Sequence, residues 1–213
     1  MYRHSIIKRD DGDHITIWVA NSYNEFEEEN SGTDDLDADG LDADDSVADD
    51  SDVELTKRKY RVGKVSWGTS GKNRNCYRTS YIGDTGPHAP FTGGANAIMD
   101  WGHSNCKGGW GLMQKRNDLI VAGSNSGYNI RFTTEMTMSL GFGVAGNFGC
   151  HDVGLITRTS RDRFQQNHGG WRVRARGETS CDVVGTACYK TQCQPSFGSR
   201  PVKWWLDNYT GKI

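Results

Sequence analysis

Several short stretches of the chain alternate between apolar and polar residues with a period of two, which is the pattern of a β-strand with one buried face. Other stretches of similar length are rich in apolar and β-branched residues, which also favour strands. These patterns predict strands in residues 14–20, 61–67, 110–113, 119–122, 128–134, 171–176 and 201–206.

Two stretches favour helices instead. One helix is predicted over about residues 151–166, because four residues three or four apart would share one face: Val153, Ile156, Ser160 and Phe164. Gly169-Gly170 is expected to stop it. A shorter helix is predicted over residues 93–101, ended by Gly102. The order of the elements predicts an α+β sandwich, in which two helices pack on one face of an antiparallel sheet.

Charge divides the chain into two parts at the dibasic pair Lys57-Arg58. Residues 1–58 contain 18 acidic and 5 basic side chains, whereas residues 59–213 contain 9 acidic and 20 basic ones. The first part has too few large apolar residues to offset its conformational entropy, so we expect an acidic, mostly disordered pro-segment. The second part is long enough for one folded domain. A kexin-type protease would cut after Lys57-Arg58, and Lys8-Arg9 is a second such site.

All six cysteines lie in the second part, and none forms a CxxC pair. Irregular spacing and an even number favour disulfides in a secreted protein over a metal site, and six cysteines allow 15 pairings. We therefore expect no metal or cofactor, and a signal peptide that has been removed. No run approaches the roughly 18 apolar residues of a membrane span. The sequon Asn208-Tyr209-Thr210 predicts a glycosylated surface asparagine.

Arginines are the leading candidates for a binding surface. Alternation over residues 171–176 would direct Arg172, Arg174 and Arg176 to one side of a strand, away from the apolar side chains. A basic surface attracts anionic cell-wall polymers, acidic lipid headgroups or nucleic acid, although it can also be ordinary solvated charge. The sequence lacks the interleaved basic and aromatic residues that would favour nucleic-acid binding. Further candidates are Lys115, Arg116, Arg158, Arg161 and Arg163.

Tryptophans offer a second kind of contact, because their rings stack on sugars, but most tryptophans in strands belong to a core. The four in question are Trp101, Trp110, Trp204 and Trp205. Trp204 and Trp205 would face opposite sides of a strand, so one of them, taken here as Trp205, is a candidate for binding.

A secreted hydrolase such as a ribonuclease is the alternative from another functional class. His151-Asp152 together with the arginine row could supply an acid, a base and a phosphate-binding surface. Aspartate at this position is equally expected as a helix start, where it accepts backbone N–H groups. No hydrolase, metalloprotease or P-loop motif is present, so no catalytic residue is assigned.

The order of these features resembles the necrosis-inducing secreted effectors of filamentous fungi. The resemblance covers about residues 74–206 and is carried by the helix that follows Phe148-Gly149, by residues 170–181 ending in Ser-Cys, by Val202-Lys203-Trp204 and by Asn75-Cys76. It implies a secreted virulence or antagonism protein with a fold similar to small killer toxins. Such a protein would bind a cell-surface component of a host or competitor rather than catalyse a reaction.

The cysteines depart from the family pattern. The inner two of its four cysteines would fall near Ala95-Asn96 and Ser126, where this chain has none. The resemblance implies that the outer pair, Cys76 and Cys181, forms a disulfide. For the remaining four cysteines we expect the pairs Cys106–Cys150 and Cys188–Cys193.

Overall fold

A computed structural model describes residues 1–8, 14–25, 75–112, 114–123, 129–137, 144–189 and 192–211. Within these ranges the helices are α1 (Thr92–Ser104) and α2 (Cys150–Phe164). The strands are β1 (Tyr2–Lys8), β2 (His14–Val19), β3 (Tyr23–Glu25), β4 (Cys76–Tyr77), β5 (Ile82–Gly83), β6 (Gly108–Gly111), β7 (Asn117–Gly123), β8 (Ile130–Met136), β9 (Val144–Gly149), β10 (Gln166–Asn167), β11 (Trp171–Arg172), β12 (Ala175–Tyr189) and β13 (Gln192–Asn208).

Most strands form one antiparallel sheet, in the order β1-β2-β7-β8-β13-β12-β9-β6-β3, with β4 and β5 paired to β12. β2 and β3 follow each other in the chain, yet they lie near opposite ends of this order. The sheet must therefore curl, because only residues 20–22 connect the two strands. The expected α+β class, with an antiparallel sheet and two helices, is confirmed.

The core contains side chains from both helices and from most strands of the sheet. Its largest fully buried members are Trp101, Trp110, Trp204, Phe132 and Phe148. Phe132 and Trp204 stack with ring planes 7° apart, and Trp101 and Trp110 contact each other with ring centroids 6.0 Å apart. Aromatic side chains bury more apolar area than other residues, so this cluster supplies much of the driving force for folding.

Two glycines allow the helices to approach closely. A Cβ atom on Gly102 of α1 would lie 3.2 Å from the Cα atom of Gly154 in α2. The prediction that Gly102 ends the first helix is therefore wrong. This glycine lies inside α1, at the crossing with α2, where the close approach leaves no room for a side chain. The prediction for Gly169-Gly170 is wrong as well. α2 ends at Phe164, and both glycines have positive φ angles, 68° and 135°, in the turn between β10 and β11.

The remaining element predictions meet mixed outcomes. Strands predicted around residues 14–20, 119–122 and 128–134 are confirmed, with shifted ends. The stretch 171–176 is divided between β11 and the start of β12, and the stretch 201–206 is the last part of the much longer β13. The strand predicted at 61–67 lies outside the described residues.

The N-terminal residues belong to the same compact unit as the domain, which comprises Met1–Phe26 and Val62–Ile213. Residues 14–25, placed by the charge pattern in the pro-segment, thus contribute β2 and β3 to the sheet. Lys8 is the last residue of β1, whereas Arg9 and the Lys57-Arg58 pair lie outside the described residues. Cleavage at either dibasic site stays a prediction.

Disulfides join Cys76 to Cys181 and Cys106 to Cys150, as expected. The first links paired positions of β4 and β12, and the second links α2 to the segment between α1 and β6. Each closes a loop in the unfolded chain and is expected to contribute about 2–4 kcal/mol to stability. Cys188 and Cys193 occupy directly paired positions of β12 and β13.

Candidate functional site

One face of the sheet contains a row of mostly polar side chains that includes Trp205. Trp205 in β13 pairs with Arg176 in β12 on one side and with Thr133 in β8 on the other, and Thr133 in turn pairs with Asp118 in β7. Directly paired residues of neighbouring strands share a face, so the four form one line across four strands. The adjacent Trp204 is fully buried, whereas Trp205 is half-buried.

An ion-pair network lies beside Trp205. The Asp207 carboxylate accepts hydrogen bonds from the Arg116 guanidinium at 2.6 Å and from the Arg131 guanidinium at 2.7 Å. Arg131 also approaches Asp118 at 3.4 Å. The Arg116 guanidinium covers the Trp205 ring 4.4 Å from its centroid, so a cation–π contact orients both side chains.

The network perturbs the acidities of two groups. Burial raises the pKa of the Asp118 carboxyl above its usual value, because it outweighs the lowering by Arg131. Burial acts to lower the pKa of Arg131, but the hydrogen bond and the charge of Asp207 outweigh it and the pKa is raised. Burial of Asp118 thus disfavours its charged form.

A pocket of about 400 Å³ opens on one side of the network. Its lining residues are Asp84, Arg174, Ala175, Arg176, Trp205, Asp207, Asn208 and Thr210. Arg176 pairs with Asp84 at 2.9 Å, and both side chains remain substantially exposed. Arg174 donates to the His88 carbonyl oxygen at 3.3 Å. The pocket therefore combines two cations, two carboxylates that are each bound to an arginine, an aromatic ring and the smaller polar groups of Asn208 and Thr210.

A second pocket, of about 600 Å³, opens on the other side of the network. It is lined by Met1, Ala20, Asn21, Ser22, Arg116, Asn117, Asp118, Arg131 and Tyr209. The turn between β2 and β3 thus forms part of its wall. Arg116 and Arg131 line this pocket and bind Asp207, which lines the first. The network therefore has members in the walls of both pockets.

The predicted arginines divide into separate groups. Arg174 and Arg176 lie together in the first pocket, whereas Arg172 covers the Phe91 ring at 3.9 Å and donates to the Ala89 carbonyl oxygen at 2.7 Å. Arg158 and Arg161 belong to α2 and line neither pocket. The structure therefore brings together only part of the predicted surface, with Trp205 and Arg116.

The residues that complete this site, Asp118, Arg131 and Asp207, were not predicted from the sequence. One signal was present: Arg131 stands between apolar residues in an alternating strand, on the same face as Thr133. Its carboxylate partners are 13 and 76 positions away in the chain, so sequence periodicity could not identify them.

The Asp152 side chain of the His151-Asp152 pair accepts several backbone hydrogen bonds. Asp152 is buried, and its carboxylate accepts the N–H groups of Asn75 at 2.7 Å, Cys76 at 3.1 Å and Gly149 at 3.3 Å. It starts α2 and attaches β4 to it, in agreement with the expected helix start. His151 is exposed.

Other sequence features have limited structural counterparts. The Asn208 amide lines the first pocket and donates to the His88 carbonyl oxygen at 2.7 Å, and its glycosylation stays a prediction. Among the described residues, no group of histidines, cysteines and carboxylates is arranged for a metal ion. Neither described helix is long and apolar enough to cross a membrane.

Comparisons with known proteins provide no relative. No protein-family model matches the sequence, and searches of curated proteins and of solved structures return no match. The resemblance to fungal effectors stays a prediction.

Proposed function

We propose that this chain is a secreted effector, related in fold to small killer toxins, that binds an acidic polysaccharide on a host or competitor surface. The observation that carries the proposal is the pocket in which Arg174, Arg176 and Trp205 lie together. Disulfides are typical of secreted proteins, and the two present here support an extracellular site of action.

The pocket offers the groups that a uronic acid would contact. Guanidinium groups bind carboxylates through charge-assisted hydrogen bonds. The part of the half-buried Trp205 ring that lines the pocket presents an apolar surface for the carbon–hydrogen face of a sugar. Asn208 and Thr210 at the same pocket provide hydrogen-bonding groups for hydroxyls.

Arg176 is suited to exchange its present partner for a ligand. Its side chain is 53% exposed, and that of Asp84 is 37% exposed. An ion pair this exposed contributes only about 0–1 kcal/mol, so a ligand carboxylate can replace Asp84 at little cost. Arg116 and Arg131 are held more firmly, because each donates to the less exposed Asp207.

Affinity for polygalacturonate, measured against an uncharged β-glucan, tests the binding proposal. Arg176→Gln and Trp205→Ala should each weaken binding about tenfold or more, as expected for a charge-assisted hydrogen bond or a stacked ring. The matched control is Arg158→Gln, because Arg158 is also an exposed arginine with one carboxylate partner, Asp162 at 3.9 Å, but lies on α2. It should change affinity less than about twofold.

Equal losses in Arg176→Gln and Arg158→Gln would reduce the effect to overall charge, and absent binding by the original chain would reject the acidic ligand. The effector role is tested separately, by applying the protein to plant tissue and to microbial cultures. Cell death or growth inhibition that is lost in Trp205→Ala supports it. Absence of any response in plant tissue and in microbial cultures would overturn the effector role.

A further inference from the structure

The N-terminal segment, residues 14–25, is bonded to both ends of the sheet formed by the rest of the domain. β2 pairs with β7 over the positions from Thr16 to Val19, and β3 pairs with β6 from Tyr23 to Glu25. The segment therefore satisfies backbone N–H and C=O groups on two strands that would otherwise be edges.

Its inward side chains belong to the main core. The buried residues are Ile15, Ile17, Val19, Ala20 and Tyr23, none more than 7% exposed. They contact the same cluster as the helices and the central strands. A segment with this burial is part of the folded domain rather than a surface attachment.

Tyr23 occupies the most specific position of the segment. Its ring contacts those of both Trp101 and Trp110, with centroids 5.7 and 5.1 Å away. Its hydroxyl accepts the Lys107 N–H at 3.3 Å and donates to the Cys150 sulfur at 3.8 Å, beside the Cys106–Cys150 disulfide. These contacts fix the register of β3 because a shift by one residue would turn Tyr23 away from the core.

No covalent bond other than the main chain joins the segment to the domain, because every cysteine lies at or after position 76. The connecting stretch contains Lys57-Arg58. We propose that processing there does not release the N-terminal segment, and that the processed protein is a non-covalent heterodimer in which residues 14–25 complete the sheet of the second chain. The heterodimer is held by strand pairing and apolar burial, and not by attraction between acidic and basic residues.

The test uses the full chain with a recognition sequence for a site-specific protease inserted between Arg58 and Lys59. After complete cleavage, verified on a denaturing gel, the sample is passed through a size-exclusion column in about 1 M NaCl, at which surface charge attraction is screened. We expect both fragments in one peak at equal amounts, and their separation only in concentrated guanidinium chloride.

Variants in β2 identify the contacts responsible. Ile17→Val and Ile17→Ala remove increasing parts of a buried side chain and should raise the dissociation constant of the two fragments, measured by diluting the cleaved protein, by about threefold and about thirtyfold. Thr16→Ser, at a half-exposed position of the same strand, is the matched control and should leave it unchanged. Loss of the N-terminal fragment from a domain that stays folded would overturn the proposal, as would precipitation of the domain on cleavage. Separation in high salt alone would show that charge holds the fragments together, which also contradicts it.

Discussion

The crossing of α1 and α2 provides a test in which two similar substitutions should have opposite effects. A Cβ atom at position 102 would lie 3.2 Å from the Cys150 carbonyl oxygen and 3.2 Å from the Gly154 Cα atom. Both are main-chain atoms, so neither can rotate away, and the Cys106–Cys150 disulfide restrains this end of α2. Gly102→Ala therefore requires the helices to move apart.

At this position a gain in backbone entropy is opposed by a packing cost. Replacing glycine by alanine inside a helix gains about 1 kcal/mol from backbone entropy. Overpacking a close contact costs about 1–3 kcal/mol. Since two contacts are tight at once, we expect the packing cost to exceed the gain, and Gly102→Ala to lower the free energy of unfolding by about 1 kcal/mol.

Gly154→Ala is the matched variant on the facing helix. Its Cβ would meet its nearest neighbour, the Gly102 Cα atom, at 3.6 Å, which is ordinary van der Waals contact. Almost no packing cost then opposes the entropy gain, so this variant should raise the free energy of unfolding by about 0.5–1 kcal/mol.

Urea unfolding monitored by tryptophan fluorescence measures both changes, as shifts in midpoint at unchanged slope. We expect Gly102→Ala to unfold at lower urea than the original chain and Gly154→Ala at higher urea. If both variants unfold at higher urea, helix propensity alone determines the result and the packing argument is wrong.

Four further substitutions test the sheet and its network, all by urea unfolding. Gly177→Ala should destabilise by about 2 kcal/mol or more, since its Cβ would overlap the Ser80 carbonyl oxygen, whereas Gly111→Ala, with open space around it, should cost less than about 1 kcal/mol. Asp207→Asn should cost about 1–3 kcal/mol, because Arg116 and Arg131 lose a charged acceptor; no change would mean that the network is mere surface charge. Asp118 has a raised pKa in the folded state, so its contribution to stability is greatest below its ordinary pKa and declines as pH rises through the raised value. Asp118→Asn should remove that decline, and an identical pH profile would refute the assignment.

Local patterns were sufficient for much of the secondary structure but not for its lengths or crossings. The apolar face of α2 and the alternation in β2 and β8 are local, so their positions were predicted to within a few residues. The role of Gly102 was not, because it depends on Gly154, which is distant in sequence. β12 extends to Tyr189 and β13 begins at Gln192, because the two strands pair with each other over this whole stretch. Their sequences alone do not indicate this pairing.

The candidate site was predicted in part for the same reason. Alternation correctly separated outward Arg174 and Arg176 from buried Val173 and Ala175. It could not show that Arg172 instead covers Phe91, since the strand is interrupted after Arg172. The partners of Asp207 come from β8 and from the residue just before β7, and only the sheet order brings them together.

The N-terminal segment and the candidate site are physically connected, which leads to a last prediction. The Ala20 N–H donates to the Leu119 carbonyl oxygen at 2.9 Å, next to Asp118, and the turn after β2 forms a wall of the second pocket. Removing residues 14–25 would leave β7, which contains Asp118 and directly follows Arg116, without its β2 neighbour. If the acidic part masks the basic domain, its removal should increase binding to polygalacturonate. If the segment instead supports the network, removing the N-terminal fragment in denaturant and refolding the remainder should weaken binding, and adding the fragment back should restore it. Stronger binding by the refolded remainder would establish masking and refute the supporting role.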